Sequence, residues 1–76
     1  MATTTTRFSV PEIHCDHCKS SIESAVAPTE GVSSVAVDIE GKTVTVSHDP
    51  SVTDVAAVSA KIEEQGYDIA AFQGLS

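Results

Sequence analysis

Two thiols and two imidazoles fall within five consecutive positions, His14-Cys15-Asp16-His17-Cys18, and the chain has no other cysteine. Cysteines three positions apart at a helix start form a chelate, because the loop lets both sulfurs turn toward one point. The orphan N–H groups and positive dipole end of the following helix favour thiolate over thiol. A soft, anionic two-sulfur site of this kind suits a soft cation such as Cu(I), with Zn(II) as the borderline competitor. The same spacing also serves redox pairs and halves of structural zinc sites.

Such a motif needs a strand before it and a helix behind it, and the flanking patterns supply both. Thr3 to Thr6 form a polar, β-prone lead-in, with residues 1–4 expected to fray. Phe8 and Val10 then alternate with Arg7 and Ser9 as in a half-buried strand. Pro11 ends that ladder, and Ile13, the one large apolar residue of the loop, is expected to tuck inward and anchor it. Asp16 is a candidate N-cap or first-turn acid. Cys18, Ile22, Ala25 and Val26 recur at helical spacing, so a first helix spans about Asp16 to Ala27. Cys18 then lies on the core-facing stripe and Cys15 in the more mobile loop before it.

Downstream, Val35, Val37 and Ile39 and then Val44, Val46 and His48 mark two strands. They join at Glu40-Gly41-Lys42, where the glycine is expected to supply a positive φ. Val55, Val58 and Ile62 mark a second helix with Thr53 or Ser51 as N-cap and Gly66 as C-cap, and Tyr67, Ile69 and Ala71 a last strand. The order β-α-β-β-α-β predicts an α+β, ferredoxin-like sandwich over one domain, residues 1–76. Its four-stranded antiparallel sheet carries two helices on one face, and Ser9, Asp38, Thr45 and Asp68 are expected on the other.

At 76 residues the chain holds one small domain, and its valine-rich apolar fraction of 41% favours a sheet-based core. Eleven acids against four bases give a net charge of −7, which repels phosphate backbones and anionic membranes, so nucleic-acid and membrane binding are disfavoured. No run reaches the roughly 18 apolar residues of a membrane span. The opening Met-Ala-Thr-Thr-Thr-Thr lacks a basic n-region and an apolar h-region, so the expected location is cytoplasmic. In a reducing compartment, CxxC spacing indicates a metal or redox site ahead of a structural disulfide.

With Cys15-Asp16-His17-Cys18 after the first strand, the chain resembles the heavy-metal-associated domain family, most closely the small stand-alone bacterial copper chaperones. Gly31-Val32, Lys42-Thr43-Val44 and Glu63-Glu64-Gln65-Gly66-Tyr67 extend the resemblance over nearly the whole length. It implies that Cys15 and Cys18 bind one Cu(I) or another soft ion and pass it to the CxxC of a partner, such as the amino-terminal domain of a metal-transporting P-type ATPase. It also implies that Tyr67 shields the bound ion. Ile13 stands where the family usually has methionine, and a branched apolar residue keeps the anchoring role.

His14 and His17 read as solvent-facing loop residues, because a neighbour of a ligating cysteine rarely points at the same ion. His14, on the flexible side, is the candidate auxiliary ligand, and its participation would favour tetrahedral Zn(II). Ile13, His17 and Tyr67 are expected around the ligands without touching the ion. His48, in register with Val44 and Val46, reads as a strand-end residue, and Glu63-Glu64 as a solvated helix face. The expected protein is a carrier and no enzyme, monomeric without metal, with a copper-bridged dimer as the alternative assembly. The competing readings are a Zn(II) or divalent-metal carrier on the same scaffold, and a thiol-disulfide redox protein. Thioredoxin-like oxidoreductases need roughly 100 residues and a cis-proline facing the cysteines, which ranks the redox reading below the others.

Overall fold

The computed structural model describes residues 3–74. Along the chain run β1 (Thr4–Ser9), α1 (Asp16–Val26), β2 (Val32–Asp38), β3 (Thr43–His48), α2 (Val55–Glu63) and β4 (Ala71–Gly74). The strands form one antiparallel sheet in the order β2-β3-β1-β4. This is the ferredoxin-like βαββαβ sandwich that the element order predicts.

Alternation decides what each strand contributes. Phe8 pairs with Val44 and Thr6 with Val46 across β1 and β3, and paired residues share a face. All four are buried with Val10, Ile13, Ile22, Val26, Val58 and Ile62, so the core lies between the two central strands and the helices. The edge strands are thinner: β2 alternates half-buried with exposed residues, and β4 is exposed throughout.

Several local expectations are corrected. Thr4, placed among the fraying residues, opens β1 opposite His48, while residues 1 and 2 of that group lie outside the described residues. At the hairpin the positive φ belongs to Lys42 (57°) and not to Gly41. Gly41 instead leaves room for the Asp38 side chain. Its N–H donates to Asp38 Oδ1 at 3.0 Å, and an added Cβ would stand 2.9 Å from that carboxylate.

The N-cap of α2 is Asp54, whose Oδ1 accepts the Ala57 N–H at 2.9 Å; neither Thr53 nor Ser51 takes the role. Thr53 is drawn into the core, where its carbonyl accepts a hydrogen bond from His48 Nδ1 at 3.0 Å. That helix is capped at its C-terminus by Glu64, and Gly66 follows two residues later with φ 91°. The last strand begins at Ala71, not at Tyr67. Opposite residues 67–70 the first strand has already ended, since Ser9 pairs with Ala71 and Pro11 offers no N–H. Asp68 therefore lies in the connecting segment and not on the sheet, with its N–H donated to Glu12 Oε1 at 2.8 Å.

Candidate metal centre

Cys15 is the residue at which the loop after β1 becomes helix. It is the N-cap of α1, in extended conformation, and its side chain makes no capping hydrogen bond. Its carbonyl accepts the N–H groups of Cys18 (3.1 Å) and Lys19 (3.3 Å), which closes the first turn. Asp16 is thus a first-turn acid, one of the two roles expected of it. Helical spacing then turns Cys18 onto the buried stripe with Ile22 and Val26.

Both cysteines are free thiols, Cys15 exposed and Cys18 only 7% exposed, and their sulfurs stand 3.3 Å apart. The Cys18 thiol is lowered from its ordinary 9.0 to about 7. Hydrogen bonding from Tyr67 is the largest cause, followed by Cys15 and a backbone hydrogen bond from His14, against a smaller opposing effect of desolvation. Tyr67 is correspondingly pushed up to about 12, first by its hydrogen bond to Cys18. The second helix ends just before this tyrosine, and the turn through Gly66 delivers it, half-buried, to the motif.

Ile13 is fully buried, and its carbonyl accepts a hydrogen bond from Lys42 Nζ at 2.8 Å. His14 is exposed, and its Nδ1–H donates to the Glu12 carbonyl at 2.7 Å. His17 is exposed on α1, beside Ser20, Ser21, Ser24 and Gln65. Among the described residues, no group of three or more His, Cys, Asp and Glu side chains is arranged to hold a metal ion. His48 stands apart from the motif, buried between Thr6 and Thr53, and Glu63 and Glu64 are exposed.

The structure therefore brings Cys15, Cys18 and Tyr67 together, with Ile13 beneath the loop and His17 facing outward. Glu12 and Lys42 also reach the loop, and sequence reasoning did not single them out. No local pattern could have done so, because their bonds span 56 and 29 residues. Two polarised sulfurs on a helix N-terminus, one of them titrating near neutrality, form a soft donor pair.

The Heavy-metal-associated domain family matches residues 7–68, from β1 through Tyr67 and Asp68. The copper chaperone CopZ of Staphylococcus haemolyticus (strain JCSC1435) is 39% identical over 62 residues, covering 82% of this chain and 91% of that protein. A solved CopZ metallochaperone superposes with a TM-score of 0.84 at 38% identity, covering 87% of this chain and 98% of its own. The N-terminal domain of a potential copper-translocating P-type ATPase from Bacillus subtilis, solved in the Cu(I)-loaded state, matches with a TM-score of 0.83 at 26% identity. It covers 95% of this chain and 92% of its own. By a family match over most of its length and relatives at this identity, the chain belongs to the heavy-metal-associated domain family.

Proposed function

We propose that this protein is a cytoplasmic copper chaperone. It holds one Cu(I) between the Cys15 and Cys18 thiolates and transfers it by ligand exchange to a two-cysteine acceptor, such as the metal-binding domain of a P-type ATPase. One observation carries the reading: an exposed cysteine and a core-anchored cysteine meet at 3.3 Å on a helix N-terminus. Support for copper, and for that class of acceptor, comes from the names of the related chaperones and of the Cu(I)-loaded ATPase domain.

The two sulfurs have different tasks. Cys18, fixed on α1, keeps the ion, while Cys15 exchanges. Given metal–sulfur bonds of about 2.3 Å, a linear S–Cu–S unit needs its sulfurs about 1 Å farther apart than they stand. Cys15 supplies that movement, since its side chain is not committed to capping the helix. Two-coordinate Cu(I) leaves room for a third sulfur, so an acceptor thiolate binds before Cys15 lets go. The ion is handed over and no bond within a substrate is made or broken, so the protein is a carrier and not an enzyme.

Competition titration of the reduced protein with Cu(I) and Zn(II) against chromophoric chelators tests this, with His14→Ala in parallel. One Cu(I) per chain, held far more tightly than Zn(II) and insensitive to His14→Ala, is the expected result. Tight Zn(II) binding that requires His14 would move the assignment to a divalent-metal carrier.

A further inference from the structure

The three residues before Cys15 are held from two directions by distant parts of the chain. From the β2–β3 hairpin, Lys42 Nζ donates to the Ile13 carbonyl at 2.8 Å, and the Lys42 carbonyl accepts the Val10 N–H at 2.9 Å. A single hairpin residue thus ties both ends of segment 10–13. It does so from a left-handed backbone, φ 57°, that a side-chain-bearing residue adopts at a cost. Gly41 next to it would take that conformation freely and does not.

Glu12 works from the other side. Its Oε1 accepts the Asp68 N–H at 2.8 Å, a charge-assisted bond across 56 residues. Residues 67–70 have no strand partner until the Ala70 N–H reaches the Ser9 carbonyl at 2.9 Å. The backbone that carries Tyr67 is therefore tied to the cysteine loop through the Glu12 carboxylate. Glu12 also offers its carbonyl to His14 Nδ1–H at 2.7 Å, so one residue serves both the loop and the tyrosine segment.

We propose that Glu12 and Lys42 are positioning residues of the two-cysteine site. Lys42 holds the approach to Cys15, and Glu12 holds the Tyr67–Asp68 segment over Cys18. This rests on the carrier reading above. Neither side chain touches the ion. Each spares the site an ordering cost when the ion binds, as outer hydrogen-bonding partners of metal sites do.

The test is the rate at which the Cu(I)-loaded protein yields its ion to a chromophoric chelator. Glu12→Ala and Lys42→Met should release Cu(I) about tenfold faster than wild type, the usual loss when such a partner is removed. Glu12→Gln and Lys42→Arg keep the acceptor and the donor and should restore slow release. Wild-type rates in the first pair overturn the proposal, as does failure of both conservative variants to restore. Iodoacetamide alkylation of Cys18 in the reduced, metal-free protein separates this from failure of the carrier reading. If the wild type holds no Cu(I), the carrier reading falls and alkylation alone decides. Faster reaction in Glu12→Ala than in Glu12→Gln upholds the positioning role, and equal rates overturn it.

Discussion

At the scale of single residues, the chemistry depends on which cysteine is ionised near neutral pH. Hydrogen bonding from Tyr67 is the largest of the causes that bring the Cys18 thiol down from 9.0 to about 7. Metal ions compete with protons for these sulfurs. Apparent Cu(I) affinity should therefore climb as pH rises through about 7, as the Cys18 thiolate forms. Tyr67→Phe removes the leading cause of the shift, so thiolate absorbance and the rise in affinity should both move up toward the ordinary 9.0. An unmoved thiolate titration would mean that the tyrosine does not govern Cys18. Cys15→Ser and Cys18→Ser should each abolish tight Cu(I) binding, whereas His17→Ala, at an exposed position, should change it little. Retained tight binding in both serine variants would sink the two-sulfur assignment.

At the scale of elements, the far end of the sheet is secured by contacts that no helix or strand propensity anticipates. Gly31 has φ 92° and lies against Val52 and Thr53, with an added Cβ only 2.9 Å from Val52. Gly31→Ala should cost about 2 kcal/mol, from the left-handed backbone and the clash together, measured by urea unfolding. His48 ends β3 fully inside the protein, with Nδ1–H on the Thr53 carbonyl and Nε2 against Thr6 Oγ1 at 3.3 Å. Its ring ties β1, β3 and the entry to α2. His48→Ala would leave a cavity beside two polar groups without partners, at about 3 kcal/mol. Because this cluster lies away from the cysteines, Cu(I) affinity of the folded variant should match wild type, and a large loss of affinity would refute that independence.

At the scale of the whole molecule, a 76-residue chain buries a limited core, so a bound ion becomes a sizeable part of its stability. A ligand held only by the folded state adds about 4 kcal/mol at a thousand times its Kd. Cu(I) loading should therefore raise the thermal midpoint by many degrees, and stripping the ion with a competing chelator should return it to the metal-free value. An unchanged midpoint on loading would indicate that the ion sits on a surface the unfolded chain offers equally well. Among the described residues, no helix is long and apolar enough to cross a membrane. Among the described residues, Phe72, at 62% exposure on edge strand β4, is the largest exposed apolar side chain; its ring lies tilted at 41° to that of Phe8, with centroids 6.2 Å apart.

What the sequence determined by itself was whatever is written in local period and spacing. Alternation in β1, β2 and β3, the 3.6-residue stripe through Cys18, Ile22 and Val26, and the CxxC interval were enough to predict the element order and the cysteine pair at a helix start. Local pattern failed where a role fell to the neighbour of the expected residue. Asp54 caps α2 because Thr53 is drawn to His48, and Lys42 takes the positive φ while Gly41 makes room for Asp38. Only the tertiary structure decided the start of β4 and the bonds of Glu12 and Lys42 to the cysteine loop. Those bonds join positions 29 and 56 residues apart, and a side chain's partner at that range is chosen by which backbone groups packing leaves unpaired.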